Sequence, residues 1–245
     1  MATTSKPKPP TTPNRTGNPV KRSSGSSNVG LWLIVSSVAL VAVVVGLIVW
    51  NDIRSKSTPV AQPDLPAEWI GRTSMGNPDA KVTIEAFEDY LCPACQTFTA
   101  RVKPQLFEEY IKTGLVRFEF HHFPLTMHAP GAGMTALATE CAADQGMFWP
   151  YHDRVFAVAA SDGQGGVQFE DLVGYAAGMG LNEQDFSQCL ASQAHQDTIN
   201  QSLADATTRQ LSFTPSIIVN GQLVQNGTDF NSVKLAVDTA LAAAQ

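Results

Sequence analysis

The chain has 245 residues, 44% of them apolar and 16% charged, with four cysteines and a formal net charge of -6. That average hides a split: residues 1–28 carry Lys6, Lys8, Arg15, Lys21 and Arg22 and no acid, whereas positions 67–245 hold 20 of the 22 acidic residues and nine of the 16 basic ones, a balance of -11. A main domain of that charge is not built to neutralise phosphates, so no nucleic-acid partner is expected.

Residues 1–28 are rich in Pro, Ser, Thr, Gly and Lys and lack the apolar content for a core, which predicts a disordered basic tail. From Val29 to Trp50 the chain reads VGLWLIVSSVALVAVVVGLIVW without a charge. As a helix this run reaches about 33 Å, enough for the roughly 30 Å hydrocarbon core of a bilayer. A cleaved signal peptide would have a shorter apolar region and an A-x-A-like site, and NDIRSKSTPVAQ after Trp50 offers no good one, so an uncleaved transmembrane signal anchor over 29–50 is expected. The basic tail puts the N-terminus on the cytoplasmic side and the rest of the chain outside, with Trp32 and Trp50 at the two interfaces. Residues 51–68 contain Pro59, Pro63 and Pro66 and read as a semi-extended tether with a reach of about 50 Å.

The folded domain is expected over 69–245. KVTIEAF (81–87) is β-branched and apolar, the pattern of a central strand. A helix is predicted from about Cys92 to Thr113, bent at Pro104 and stopped by Gly114. VRFEFHHF (116–123) reads as a second strand. Some eighty residues of helical periodicity follow, about 128–210: Met134, Leu137 and Cys141 share a face, Pro150 opens a second helix, and Leu172, Tyr175 and Met179 mark a third. Asn182 caps a fourth helix, which carries Phe186, Cys189 and Leu190, and a fifth runs from about His195 to Arg209. SIIV (216–219), Asn220-Gly221 and QLV (222–224) form a hairpin signal with a type I′ turn. A last helix has Val233, Ala236, Val237, Ala240 and Leu241 on one face.

The chemistry is concentrated in Phe87-Glu88-Asp89-Tyr90-Leu91-Cys92-Pro93-Ala94-Cys95. A C-x-x-C pair alone also serves zinc sites, but here it falls where a central strand meets a helix. The unpaired N–H groups of a helix N-terminus stabilise a thiolate, so Cys92 is the candidate attacked sulfur and Cys95, within the first turn, the resolving one. Zinc would need two more ligands at similar spacing, and neither Cys141 nor Cys189 has a Cys or His at the required distance, so no metal is expected. The five histidines show no H-x-x-x-H spacing and read as structural or exposed. Asn226-Gly227-Thr228 fits a glycosylation sequon but reads as a turn leading to a helix cap.

GNPDAKVTIEAFEDYLCPAC, ATECAADQGMFWPYHDRVF and SFTPSIIVNGQLV, in that order, resemble the thioredoxin-fold thiol oxidoreductases of the DsbA type, in particular the membrane-anchored forms of Gram-positive and related bacteria. The resemblance covers roughly residues 74–244. It implies an α/β, thioredoxin-like fold with an inserted helical subdomain, here preceded by one N-terminal transmembrane helix. It also implies that Thr214-Pro215 is a cis-proline loop beside the active-site disulfide, where its backbone pairs with a substrate strand; the residues alone would read as an ordinary turn. Strong oxidants of the family carry Pro-His between the cysteines, and this chain has Pro93-Ala94, with Glu88 and Asp89 nearby as charges opposing a thiolate. Each lost pKa unit is about 1.4 kcal/mol, or roughly 30 mV in a two-electron couple, so a milder oxidant is expected.

Cys141 and Cys189 lie on apolar stripes of separate helices and can be read as buried free thiols or as a second disulfide. An exported domain meets oxidising conditions, and with Cys92 and Cys95 paired only Cys141 with Cys189 remains, so the disulfide is expected. The function implied is an extracytoplasmic thiol:disulfide oxidoreductase of the cell membrane, forming disulfides in exported, unfolded or reduced proteins through Cys92 and Cys95. It needs no cofactor and is reoxidised by a quinone-linked membrane partner of the DsbB or VKOR type. A reductase or isomerase kept reduced by a membrane donor, and a non-enzymatic thiol metallochaperone, are the alternatives.

Overall fold

A computed structural model describes residues 29–56 and 61–244, with side chains placed except at 29–32, 48–56 and 164. The tail over 1–28 and the part of the tether at 57–60 lie outside the described residues, as do the side chains of Trp32 and Trp50. The chain divides at Trp50 into two compact units.

Helix α1 runs Val29–Lys56, 28 residues. Its side chains over 33–47 are all exposed. That stretch measures about 22 Å at 1.5 Å per residue, and among the described residues no helix is long and apolar enough to cross a membrane.

The second unit is built on a five-stranded sheet in the order β1-β3-β2-β4-β5. Strand β2, Val82–Glu88, is the central one the β-branched run predicts, and it pairs in parallel with β3, Val116–His122, in the register Val82↔Val116 to Glu88↔His122. On its other side β4, Ser216–Val219, runs antiparallel, with Ile84 opposite Val219 and Phe87 opposite Ser216. β4 continues through Asn220 and Gly221, both at positive φ (45° and 80°), into β5, Gln222–Leu223. This is the type I′ geometry expected of Asn-Gly. The Asn220 side chain also accepts the Thr83 N–H at 2.8 Å, which fixes the turn to β2. The edge strand β1, Ser74–Met75, antiparallel to β3, has no counterpart in the sequence reading, because two residues carry no period.

The crossover from β2 to β3 is helix α2, four segments in unbroken succession: Pro93–Thr97, Phe98–Val102, Lys103–Leu106 and Phe107–Ile111. The second and fourth are π turns, in which the Lys103 N–H reaches Phe98 O and the Lys112 N–H reaches Phe107 O. Pro104 supplies no N–H, and the wide turn just before it takes up the mismatch that the sequence suggested as a bend. Gly114 ends the helix at φ 77°, with its N–H on Ile111 O; a Cβ there would lie 2.7 Å from the Trp69 ring.

Between β3 and β4 stand α3 (Gly131–Ala143), α4 (Phe148–Asp162), α5 (Phe169–Gly178), α6 (Glu183–Ala191) and α7 (Gln196–Thr208). α4 opens at Phe148 rather than at Pro150, which occupies the third helical position, where the missing N–H has no partner to lose. The Asn182 side chain caps α6 by accepting the Asp185 N–H at 3.2 Å. Asp229 does the same for α8, Phe230–Ala243, through Ser232 at 2.9 Å. The principal core lies between the sheet, α2 and this block, around Phe98, Phe118, Phe120, Trp149, Tyr151 and Phe186.

Cys141 on α3 and Cys189 on α6 are joined by a disulfide across 48 positions of chain. By chain entropy, cross-linking a loop of that length restrains the unfolded state by about 4 kcal/mol. Cys141→Ser/Cys189→Ser, unfolded in denaturant beside the wild type with Cys92 and Cys95 in the same redox state, is expected to lose stability of about that size. A midpoint within error of the wild type contradicts it.

Candidate active site

Strand β2 delivers the chain to the site, and the main-chain turn Asp89 to Cys92 reverses it into α2, with the Cys92 N–H on Asp89 O at 3.1 Å. Cys92 is the N-cap of α2 in extended conformation, and Pro93 occupies the first helical position, where its fixed φ suits the start and its absent N–H costs nothing. Cys92 is 8% exposed and Cys95 is fully buried; both are free thiols in this structure.

The two sulfurs are held unlike each other. Hydrogen bonding from the Cys95 thiol is the largest influence on Cys92; burial opposes it, and Thr214 and the backbone N–H groups of Cys95 and Ala94 add to it. Together they bring the Cys92 thiol down to about 5 from an ordinary 9.0. Burial drives the Cys95 thiol strongly the other way, reinforced by its hydrogen bond to Cys92 and by the nearby Glu88. At neutral pH the reduced pair therefore holds one thiolate, on the outer sulfur, and one protonated thiol behind it.

Cys92 Sγ lies 3.4 Å from the carbonyl oxygen of Thr214, and the Thr214–Pro215 peptide is cis. The structure thus brings Cys92 and Cys95 together with Thr214 and Pro215, although Cys92 and Thr214 are 122 positions apart in sequence. Cys141 and Cys189 are joined elsewhere, between α3 and α6. A second cis bond, Ala129–Pro130, was not anticipated, and no residue pattern distinguishes it from an ordinary X-Pro.

The opposing charges inferred from sequence need correction at Glu88. Its carboxyl is 1% exposed, has Thr99 Oγ1 on one oxygen at 3.2 Å and, among the described residues, no partner for Oε1. Burial pushes it up to about 8, against the pull of Lys103 and Thr99, so at neutral pH it is mostly protonated and presents no full charge to Cys92. Asp89, its neighbour, is bonded instead to Leu91, Leu125 and His128.

His122 bonds Glu140 at 2.9 Å, His195 bonds Asp144 at 2.7 Å, and His152 is buried and pushed down to about 4 by desolvation. Among the described residues two trios bring potential metal ligands within 4.8 Å of one another, and neither includes Cys92 or Cys95. In one, Cys141 and Cys189 are already bonded to each other beside His195. In the other, Glu85 and Glu119 flank His121 but are held by Arg209 and Arg117 at 2.9 Å each.

A low-pKa cysteine at the N-cap position of a helix after the central strand, a buried partner one turn in and a cis-proline loop on the sulfur define a thioredoxin-fold dithiol site. The family model described as Thioredoxin matches residues 70–239. The probable disulfide bond formation protein D of Bacillus anthracis is 30% identical over 210 residues, 85% of this chain and 94% of its own. Two solved structures share the fold: oxidised BdbD from Bacillus subtilis (TM-score 0.65, 23% identity, 76% of this chain and 100% of that one) and DsbA from Chlamydia trachomatis (TM-score 0.61, 18% identity, 76% and 98%). The chain belongs to the thioredoxin family and is a thiol:disulfide oxidoreductase.

The Cys92 value has a testable sign. A sulfur whose pKa falls from 9.0 to about 5 on folding stabilises the folded reduced protein as pH rises from about 5 to 9, and loses that contribution as pH falls through 5. Glu88, raised on folding from 4.5 to about 8, works the other way over nearly the same window, but its main cause, burial, is common to both redox forms, and only the lesser Cys92 contribution is lost on oxidation. The stability difference between reduced and oxidised protein should therefore move in favour of the reduced form from pH 5 to 9, read by denaturant unfolding of both forms. Thiolate absorbance should show one midpoint near 5; a midpoint near 9 contradicts the site as described.

Proposed function

We propose that this chain is an extracytoplasmic disulfide oxidase that forms disulfides in exported, unfolded or reduced proteins through Cys92 and Cys95. The observation that carries the reading is the contrast between the two sulfurs: an outer one at about 5 and a buried one driven far up. In the oxidised enzyme a substrate thiolate attacks Cys92 Sγ, the Cys92–Cys95 bond breaks, and Cys95 leaves with the bonding electrons and takes a proton. The second substrate thiolate then attacks the substrate sulfur of the mixed disulfide, and Cys92 leaves as a thiolate. The substrate is oxidised by two electrons and the enzyme reduced by two. A leaving group of low pKa speeds the second step, and the same stabilisation of the reduced enzyme raises its potential. In this reading Thr214 and Pro215 offer the backbone beside Cys92 to an extended substrate segment by strand addition. Cys141 and Cys189 brace the helical block, and no metal or organic cofactor takes part.

The bacterial relative's name, disulfide bond formation protein D, favours formation over reduction. Turnover requires an electron acceptor; by the family resemblance this is a quinone-linked membrane protein of the DsbB or VKOR type. A reductase or isomerase would use the same sulfurs with a membrane electron donor. Purified full-length chain, oxidised and then incubated with a reduced unfolded protein, should consume substrate thiols stoichiometrically, and Cys92→Ser should lose this activity by a factor of a hundred or more. Equal thiol loss by the two proteins refutes the oxidase reading.

We further read Val29–Trp50, within α1, as a single-pass signal anchor in the lipid bilayer, with residues 1–28 as a basic cytoplasmic tail, 51–68 as the tether, whose first six residues continue α1 as helix rather than the extended chain expected, and 69–245 outside. What supports it is an uncharged run of 22 residues whose side chains over 33–47 stand exposed, together with five basic residues before it. So much unburied apolar surface needs an apolar environment. Expressed in bacteria, the full chain should sediment with membranes through carbonate washing, and a variant lacking 1–50 and any export signal should not. Protease added to intact spheroplasts should degrade the domain; protection of the domain would reverse the topology.

A further inference from the structure

Asp89 was read from sequence as a charge too close to the thiolate. Its surroundings give it a different task. Its main chain belongs to the two cysteines: the carbonyl oxygen accepts the Cys92 N–H at 3.1 Å, and the N–H donates to Cys95 Sγ at 3.4 Å. Its side chain, 0% exposed, belongs to the turns on either side. Oδ1 accepts the Leu91 N–H at 2.8 Å; Oδ2 accepts the Leu125 N–H at 2.8 Å and faces His128 Nδ1 at 2.8 Å. One residue thus binds both sulfur-bearing positions, the turn before them and a turn more than thirty positions away.

That second turn, Thr126–His128, carries Met127, which is 77% exposed. Phe213, 45% exposed, directly precedes Thr214, whose carbonyl oxygen lies 3.4 Å from Cys92 Sγ. We propose that Asp89 is a positioning residue for thiol–disulfide exchange, locking the turn before Cys92 to the Thr126–His128 turn so that the sulfur and the apolar surface carried by Met127 keep one fixed relation. This rests on the reading of Cys92 and Cys95 as the redox pair. The three donors on a buried carboxylate are what make such a lock strong, since charge-assisted hydrogen bonds are about twice as strong as neutral ones.

Position and charge predict opposite signs. A carboxylate acting on Cys92 only through its field would, when neutralised, make the thiolate easier to form. A carboxylate that aims the helix start at the sulfur would, when disabled, make it harder. Asp89→Asn keeps the size, but its amide turns donors toward Leu125 and His128 in place of an acceptor. In the full-length protein we expect the Cys92 ionisation midpoint to rise by about one unit, a tenfold smaller thiolate fraction at a pH below it. KM for a reduced unfolded protein should rise several-fold, and the effects of Asp89→Asn and His128→Ala on kcat/KM should be non-additive. A midpoint that falls or stays, with only the melting temperature lowered, overturns the proposal.

Should Asp89→Asn fail to fold, His128→Ala decides. It leaves the Leu91 and Leu125 contacts in place; a raised KM supports the lock and an unchanged KM overturns it. Wild type and Cys92→Ser measured alongside separate the two levels. Full activity in Cys92→Ser removes the redox reading itself, whereas its loss together with an indifferent Asp89→Asn removes only the positioning role.

Discussion

The chemistry of this protein depends on a helix start that has a cysteine at its cap position. The first N–H groups of any helix lack partners within it, and they carry the positive end of its dipole. Most N-caps meet them with an oxygen. At α2 the N-cap position is Cys92; its sulfur makes no capping hydrogen bond, but the N–H groups of Ala94 and Cys95 add to the stabilisation of its thiolate. Burial alone would raise the thiol; hydrogen bonding from Cys95, Thr214 and the backbone outweighs it. The arrangement needs a rigid base, which the central position of β2 supplies, and a fixed second wall, which the cis Thr214–Pro215 peptide at the start of β4 supplies.

The two cysteine pairs illustrate what the same residue does in two settings. Cys141 and Cys189 close a long loop between packed helices, so their bond restricts the unfolded chain greatly. Cys92 and Cys95 enclose one helical turn, where closure restricts little. With so small an entropic gain, the balance between bond and thiols at that pair is set by what stabilises the thiolate: first the Cys95 thiol, then Thr214 and the N–H groups of the helix start. One pair is thus fitted to stay closed and the other to exchange.

Much of this was legible in the residues. The β-branched run at 81–87, observed as Val82–Glu88, the Asn220-Gly221 turn, the Asn182 cap and the Gly114 stop are local signals, and each appears within a residue of its expected place. The C-x-x-C pair was legible for the same reason: strand, cap and helix lie within ten positions. What escaped is non-local or too short to have a period. Strand β1 has two residues, and the π turns of α2 answer to packing rather than pattern. The partners of Asp89 lie 36 and 39 positions away, beyond any spacing rule.

The formal charge of the domain misled in a way that has a physical cause. Counting acids treats Glu88 and Asp89 as equals, both within four positions of Cys92 in sequence. Strand alternation and the turn that follows separate them. Glu88, the last residue of β2, is buried, where among the described residues Thr99 is the one hydrogen-bond donor its carboxyl meets, and burial there keeps the proton on. Asp89 is equally buried but stands where the chain turns, and turns expose backbone N–H groups; it collects two of them and a histidine. The difference in their surroundings is therefore decided by the supply of donors at a strand end. The Cys92 thiolate consequently sits in a weaker opposing field than the sequence total of -11 over 67–245 implies.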